Sequence, residues 1–327
     1  MQVFDYNQRS KVLGDELAKG GEGTVYPLQE RADVLVKKYH SEKLQKQRHQ
    51  YAQKMAAMIE LSDSVKGFSL AWPLLSVFDQ EDDWIGYAMR RASGKSMRLL
   101  AHAMAYQEHF PGLTRRHIVA YLLSFLQTVD QLHQRKILVG DYNLNNFLCD
   151  PDSQTVTLID CDSYQLHYKG KHYPCPVGSP DLTPVEHHGK NFNEVERTIE
   201  SERFSIAIIL FQCLMIGRHP YDSVGGEDPV KNLKSGNFAY GVAADARIPK
   251  GSWYNIWSHM PFRIKSLFIQ VFREGVHDPE QRPTIAQWQE VLNLYLKEIK
   301  KGWHNDEIRP MQPKSKDYRG RDSFEIV

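Results

Sequence analysis

Residues 139–162 of this 327-residue chain read VGDYNLNNFLCDPDSQTVTLIDCD. Asp141 lies five residues before Asn146, and an apolar run follows the asparagine at once. Turn-forming residues then precede a second apolar run, which ends at Asp160. The pattern predicts two short strands separated by a turn, with polar side chains next to both. Asp141, Asn146 and Asp160 are therefore the first candidate functional residues.

The spacing of these residues has a chemical interpretation. An Asp five residues before an Asn is typical of phosphoryl-transfer loops, in which the Asp accepts a hydroxyl proton and the Asn binds a metal ion. Asp160, at the end of an apolar strand, is placed to hold magnesium between phosphates, because that ion prefers hard oxygen ligands. Asp and Asn are also common as backbone caps in turns. Taken alone, the loop leaves a purely structural role open.

Two upstream features favour the chemical interpretation. Gly20, Gly21 and Gly23 lie between two strand-like runs, where glycine lets a backbone close over phosphates. The alternative is an ordinary hairpin turn. Lys37 ends an apolar strand and can reach nucleotide phosphates as a point charge, or it can be a solvated edge-strand lysine. The order of glycine loop, lysine, Asp-x4-Asn and strand-end Asp is difficult to obtain by chance.

Composition limits the setting rather than the chemistry. Hydrophobic residues make up 41% and charged residues 25%, as in ordinary globular proteins, and the formal net charge is +1. We therefore expect no nucleic acid and no membrane as partner. The four cysteines show no C-x-x-C spacing and no apolar stretch is long enough to span a bilayer, which predicts a reducing, cytoplasmic location.

The character of the sequence changes once along the chain. Residues 10–92 read as short strands around one polar helix near 42–61, and residues 93–300 read as mainly helical. Apolar residues recur at helical spacing over 117–134, and 204–215 is apolar nearly all round, which predicts a helix buried at the centre of this region. We expect one domain over 10–300 and a polar tail or linker over 301–327.

Together these features resemble the eukaryotic-type protein-kinase superfamily over roughly residues 12–298. The resemblance implies an α+β, bilobal protein-kinase-like fold, with a small β-rich N-lobe (about 10–92) and a larger helical C-lobe (about 93–300). It implies ATP and Mg²⁺ as cofactors, with Asp141 as catalytic base assisted by Lys37 and Asn146. It also implies that Glu186, which closes the activation loop, pairs with Arg282.

The resemblance assigns the cofactor contacts residue by residue. The residues expected to contact ATP are Leu17, Ala18, Gly20, Gly21, Gly23, Val25, Lys37, Met89, Arg90 and Ala92. The expected metal ligands are Asn146 and Asp160, with Asp162 as an accessory ligand.

The catalytic loop departs from the family pattern in two places. Gly140 replaces the arginine before the catalytic Asp, which normally grips a phosphorylated activation loop. We therefore predict an atypical, non-RD kinase whose activity does not require phosphorylation there. Asn143 occupies the position of the lysine that contacts the transferring phosphate, which predicts slower transfer or a shift in specificity.

The partner of Lys37 is a further departure. No Glu lies between Lys43 and Ile59, where the helix partner of this lysine falls in the family. Either Glu42 or Glu60 serves, or the pair is absent.

The spelling of 20–26 and 159–164 also resembles a bacterial, YegI-like branch of the superfamily. This implies a serine/threonine kinase with a protein substrate and autophosphorylation. It also implies a PP2C-type phosphatase and a von Willebrand A domain protein as partners.

Two other functions remain open at this point. A small-molecule phosphotransferase of the aminoglycoside-kinase type also favours Gly before the catalytic Asp, but such enzymes generally lack the elements at 178–186 and 278–283. A nucleotide-binding pseudokinase, acting as a regulatory or scaffold module, is suggested by Asn143 and by the missing helix glutamate. The argument against it is the retention of the whole set: Lys37, Asp141, Asn146 and Asp160.

Overall fold

The computed structural model describes residues 1–226, 228–241, 247–249 and 251–314. The chain forms an antiparallel sheet with one long helix in its N-terminal part and a mainly helical C-terminal part. This is the α+β, bilobal arrangement expected from the sequence. Residues 315–327 of the expected tail lie outside the described residues.

The small lobe is built on one sheet. Its strands are β1 (Gln2–Phe4), β2 (Ser10–Val12), β3 (Ala18–Lys19), β4 (Gly23–Leu28), β5 (Arg31–Tyr39), β6 (Pro73–Phe78) and β7 (Trp84–Arg90). Their order in the sheet is β2-β1-β6-β7-β5-β4-β3. The sequence predicts that the small lobe begins at about residue 10. Phe4 of β1 pairs with Phe78 of β6, so the sheet of this lobe also includes residues before that boundary.

Helix α1 (Ser41–Glu60) packs against this sheet, close to the predicted span of 42–61. Its buried face carries Leu44, Met55 and Met58, which recur at helical spacing. Lys54 is buried on the same face, and only 8% of it is exposed. A buried lysine in an otherwise apolar helix face needs a partner, because burying an unpaired charge is costly.

The large lobe contains eight α-helices and two small sheets among the described residues. Its helices are α2 (Met97–Leu100), α3 (Ala105–His109), α4 (Arg115–His133), α5 (Ile199–Leu214), α6 (Pro229–Lys234), α7 (Trp253–His259), α8 (Phe262–Ile269) and α9 (Ile285–Lys300). Its strands are β8 (Lys95–Ser96), β9 (Phe147–Asp150), β10 (Thr155–Leu158), β11 (Leu166–Tyr168) and β12 (Lys171–Tyr173). None of the helices that these residues form is both long and apolar enough to cross a bilayer.

The predicted central helix is α5. It begins at Ile199, and the side chain of the preceding Thr198 caps the amide of Ser201. From Phe204 to Phe211 every residue is buried. Helix α4 packs against α5, α9 and β10, which places the amphipathic helix of the sequence between the core and the β9–β10 sheet. Helix α8 is followed by a π-helical turn over Gln270–Glu274.

Residues 303–314, expected to belong to a polar tail or linker, pack along the large lobe. Ile308 is only 5% exposed. Arg115, at the start of α4, donates one hydrogen bond to the Ile308 carbonyl and one to the Leu214 carbonyl, each at 2.6 Å. The buried arginine thus ties this segment to α4 and α5.

Candidate active site

The β9–β10 hairpin brings the metal-binding candidates together. Phe147 pairs with Leu158, and the Ile159 amide donates to the Asn146 carbonyl at 2.9 Å. Asn146 and Asp160 therefore flank the open end of one hairpin. The Asn146 Nδ2 donates to Asp141 Oδ2 at 3.3 Å, which leaves the amide oxygen of Asn146 available for a cation.

A cavity of about 540 Å³ lies between the lobes at this point. It is lined by every residue that the sequence assigned to catalysis, ATP or metal: Leu17, Ala18, Gly20, Gly21, Gly23, Val25, Lys37, Met89, Arg90, Ala92, Asp141, Asn146, Asp160 and Asp162. Sequence reasoning missed five apolar residues of its wall: Leu35, Ala71, Leu148, Ile159 and Val177. Leu148 and Ile159 lie beside residues that were identified, so the strand pattern around them was the available signal.

The glycine-rich segment is the β3–β4 hairpin, and it covers one side of the cavity. Its turn is closed by the Gly20 amide, which donates to the Gly23 carbonyl at 2.9 Å. A Cβ on Gly23 would lie 2.5 Å from the Lys38 carbonyl oxygen, so the close approach of β4 to β5 requires glycine there. The segment is thus a hairpin turn, as the alternative interpretation held, and also a cover over the cavity.

Lys37 lies at the back of this cavity. Strand β5 is flanked by β4 and β7, which excludes the solvated edge-strand alternative. The Lys37 amine donates to both oxygens of Asp162, at 2.8 and 3.0 Å, and lies 3.5 Å from Asp160 Oδ1. Burial opposes the charged amine, but the two carboxylates outweigh it and raise the pKa of Lys37. Lys37 is therefore charged at neutral pH.

Asp162 lies beside Lys37. Both of its oxygens accept hydrogen bonds from protein donors: Lys37, the Tyr39 hydroxyl and the Tyr87 hydroxyl. Its side chain is 1% exposed. Burial favours the neutral acid, but the Lys37 charge and these hydrogen bonds hold the pKa of Asp162 below its usual value. Asp162 is thus the ion-pair partner of Lys37 in this structure, and its role as an accessory metal ligand stays a prediction.

The pairing also answers the question of the missing helix glutamate. The partner of Lys37 comes from the segment after β10 rather than from α1. Glu60 binds Lys169 at 2.6 Å and the Tyr168 hydroxyl on the surface. Tyr39 could have been found from the sequence, because residues two apart on a strand share a face and Tyr39 follows Lys37 at that spacing.

Asp160 has the carboxylate that remains accessible from the cavity, with 46% of its side chain exposed. Its backbone is left-handed, at φ 55° and ψ 37°, which is uncommon for a residue other than glycine. The carbonyl is held there by the amide and the hydroxyl of Ser163. Among the described residues, no cluster of three or more His, Cys, Asp or Glu forms a metal site by itself. A cation here would take Asp160, Asn146 and oxygens of a bound phosphate.

Glu202 of α5 holds the catalytic loop from below. Its carboxylate accepts hydrogen bonds from the Gly140 amide at 2.6 Å, the Tyr142 hydroxyl at 2.7 Å and the His133 ring at 2.7 Å. Asp141 lies between two of these donors along the chain. Desolvation raises the pKa of Asp141, although the charge of Arg197 opposes the rise.

The activation segment ends at the ion pair expected from the sequence. Arg282 contacts Glu186 through two parallel hydrogen bonds, of 2.7 and 2.9 Å. The guanidinium is fully buried and also donates to the Gly275 carbonyl at 2.6 Å. This bidentate pair fixes the end of the segment to the base of the large lobe.

Comparisons with known proteins agree with this geometry. The family model of the protein kinase domain matches residues 12–293. The chain is 29% identical over 311 residues to protein kinase YegI of Escherichia coli strain K12, a match that covers 92% of this chain and 47% of the relative. It is 30% identical over 298 residues to protein kinase YegI of Escherichia coli O157:H7, covering 88% of this chain and 45% of the relative. The chain thus spans less than half the length of the curated relatives it matches.

Proposed function

Because this chain belongs to the protein kinase domain family, we propose that it transfers the γ-phosphoryl group of ATP to serine or threonine hydroxyls of a protein, itself included. The observation that carries the proposal is the single cavity in which Lys37, Asp141, Asn146 and Asp160 meet. Lys37 is far from the other three residues in the sequence, but all four side chains line the same cavity.

The cavity has a wall for each part of ATP. Leu35, Ala71, Leu148 and Met89 give an apolar slot for a flat base. The β3–β4 turn covers the position of the phosphates, and Lys37 supplies the charge that positions them. A volume of about 540 Å³ is within the usual range for a small-molecule site.

Mg²⁺ fits the donors that remain. The carboxylate of Asp160 and the amide oxygen of Asn146 are hard oxygen ligands, whereas the oxygens of Asp162 are engaged by Lys37 and two tyrosines. When bound, Mg²⁺ would neutralise charge on the phosphates during transfer.

In this mechanism the side chains of the protein mainly position the reacting groups and neutralise their charge. Asp141 accepts a hydrogen bond from the incoming hydroxyl and takes its proton as the oxygen attacks in line. Asn146 holds the Asp141 carboxylate in place through its Nδ2 donor. Lys37, itself held by Asp162, keeps the γ-phosphoryl group aligned with that hydroxyl.

The geometry also weighs on the two alternatives. A pseudokinase was suggested by the missing helix glutamate, and Asp162 supplies a partner for Lys37 from another segment. Asn143 accepts a hydrogen bond from the Asn145 amide at 2.9 Å, a turn cap that shapes the loop. The Glu186–Arg282 pair supports a protein substrate over a small molecule, because it stabilises the segment that small-molecule enzymes lack.

The remaining parts of the proposal concern the setting. A PP2C-type phosphatase and a von Willebrand A domain protein stay predicted partners, and a cytoplasmic location stays a prediction. The non-RD character rests on Gly140, which stands directly before Asp141.

Transfer is tested with purified protein, Mg²⁺ and ATP labelled at the γ-phosphate. We expect label on the protein or on an added general protein substrate, and acid hydrolysis should release phosphoserine or phosphothreonine. Asp141→Ala and Asp160→Asn should each abolish incorporation, while the exposed substitution Asp152→Asn should not. ATP binding without any transfer would favour the pseudokinase. Transfer only to small-molecule hydroxyls would favour the other alternative.

A further inference from the structure

Arg197 is a buried arginine between the catalytic loop and the activation segment. It lies one residue before the cap of α5, and 5% of it is exposed. One end of its guanidinium donates to the carbonyl of Gly140, the residue before the catalytic Asp141. The other end donates to the carbonyl of Val177 at 2.6 Å. Gly140 and Val177 are 37 residues apart in the sequence, and the Arg197 side chain joins the two segments that contain them.

The backbone of Arg197 is held as firmly as its side chain. Its amide donates to Gln165 Oε1 and its carbonyl accepts from Gln165 Nε2, both at 2.9 Å. Gln165 in turn exchanges two backbone hydrogen bonds with Leu138, at 2.8 and 2.9 Å. The Phe192 ring packs against the guanidinium, with 4.9 Å between the guanidinium carbon and the ring centroid. The backbone and both terminal nitrogens of Arg197 are hydrogen bonded, and Nε has no partner among the described residues. The two terminal donors therefore have a defined direction.

Gly140 makes the close contact possible. Its φ is +72°, and a Cβ at this position would lie 2.6 Å from Cys175 Sγ and 3.1 Å from the Arg197 guanidinium. A side chain there would force the activation segment and Arg197 apart. Gly140 stands where the family pattern has an arginine. Because glycine has no side chain, it also leaves the space that Arg197 occupies.

A second cation contacts the same stretch from the small lobe. Lys54 of α1 donates to the Pro174 carbonyl at 3.1 Å. The Cys175 thiol donates to the Val177 carbonyl at 3.4 Å, which closes the short segment on itself. Residues 174–177 are therefore held through their backbone carbonyls by one cation from each lobe. These acceptors are present in any sequence and need no modification.

We propose that Arg197 is a positioning residue that holds residues 174–177 against the catalytic loop, so that the activation segment is set for substrate without a phosphorylated side chain. The inference rests on the proposed function, and it identifies which residue replaces the missing loop arginine. A guanidinium suits this role because its planar fork reaches two acceptors at once and stays charged at any physiological pH. Lysine at this position would keep the charge but would not reach both carbonyls.

The test compares Arg197→Met with Arg115→Met in the full chain. Arg115 is a matched control, because it is equally buried and also donates to two backbone carbonyls, those of Leu214 and Ile308, which belong to neither the catalytic loop nor residues 174–177. For Arg197→Met we expect kcat to fall about 100-fold, since misplacing catalytic groups by about 1 Å costs that much, with the KM for ATP within twofold of wild type. Arg197→Lys should recover part of the loss. Arg115→Met should lower the melting temperature with kcat near wild type. Equal loss of kcat in both methionine variants, or full activity of Arg197→Met, would overturn the proposal.

Hydrogen exchange gives a readout that does not depend on transfer. Peptides covering 174–182 should exchange faster in Arg197→Met than in wild type and at the wild-type rate in Arg115→Met. If Arg197→Met does not fold, Arg197→Lys is measured in its place, and unchanged exchange there would contradict the proposal. Wild-type protein freed of phosphate by a phosphatase, and checked by mass, should keep its kcat. Loss of activity on this treatment would also contradict the role proposed for Arg197. A wild-type protein that never transfers phosphate would refute only the proposed function.

Discussion

At the scale of single residues, Asp162 shows how position in the fold sets the role of a carboxylate. Asp160 and Asp162 are two residues apart, yet one is nearly half exposed to the cavity and the other is 1% exposed. The left-handed backbone of Asp160 turns the chain between them. The exposed carboxylate is available for a cation, and the buried one neutralises Lys37 and accepts two tyrosine hydroxyls.

This difference predicts the effect of Asp162→Asn. The substitution leaves the buried Lys37 amine without its closest carboxylate, so we expect the free energy of unfolding to fall by about 3–5 kcal/mol, the usual result of breaking a buried ion pair. Phosphoryl transfer should fall by about 100-fold, because Lys37 loses its fixed position. Urea unfolding and initial rates at saturating ATP measure the two effects.

Glu60→Gln is the matched control for that variant. Glu60 is one of the two carboxylates on α1 that the sequence offered as a partner of Lys37, and it binds Lys169 on the surface instead. We expect stability and turnover close to wild type, because exposed ion pairs contribute little. If Glu60→Gln is the variant that loses activity while Asp162→Asn retains it, the assignment of the partner is wrong.

At the scale of elements, α1 contributes a lysine where a glutamate was sought. Lys54 faces residues 174–177, and its burial lowers its pKa to about 8, although the carboxylates of Asp162 and Glu22 favour the charged amine. Helix α1 is thus coupled to the activation segment through a backbone carbonyl, and its coupling to Lys37 is indirect.

The lowered pKa of Lys54 predicts a pH-dependent stability. Between pH 8 and about 10.5 the unfolded chain still binds the proton that the folded protein has released, so the free energy of unfolding rises with pH in this window. Relative to Lys54→Met, wild type should gain up to about 1.4 kcal/mol per pH unit there, and nothing below pH 8. Urea unfolding of both proteins from pH 7 to 10 measures the difference. Lys46→Met makes the same change at an exposed position of α1, and its free energy of unfolding should differ from that of wild type by the same amount at every pH. If the free energies of wild type and Lys54→Met also run parallel from pH 7 to 10, the expectation is wrong.

At the scale of the whole molecule, the C-terminal segment up to residue 314 completes the large lobe. Arg115 of α4 reaches the Ile308 carbonyl, and Arg116 pairs with Asp306 at 2.5 Å. Polar composition suggested a tail or linker because most of these side chains are charged or small. The packing includes a buried isoleucine and backbone acceptors, which composition does not reveal.

Ile308→Ala tests whether this segment belongs to the folded domain. Removing a side chain that is 5% exposed should lower the free energy of unfolding by about 2–5 kcal/mol. Met311→Ala, at a residue that is 85% exposed, should change it little. Turnover at 25 °C should be unchanged in both, because the segment lies away from the cavity between the lobes. Equal stability of the two variants in urea would show that the segment contributes nothing.

Sequence pattern together with the family resemblance was sufficient for the fold class and for the catalytic candidates that line the cavity. Asp141, Asn146 and Asp160 lie within 20 residues of one another, and a single hairpin with its preceding loop brings them together, so strand pattern and spacing predicted their proximity. Apart from the Glu186–Arg282 pair, which the family resemblance implied, contacts across larger separations were decided only by the tertiary structure. The Lys37–Asp162 pair joins residues 125 apart, and Arg197 reaches Gly140 across 57 residues. Such pairings depend on burial and on which donor is nearest once the lobes are packed, and neither quantity is written in the local pattern of residues.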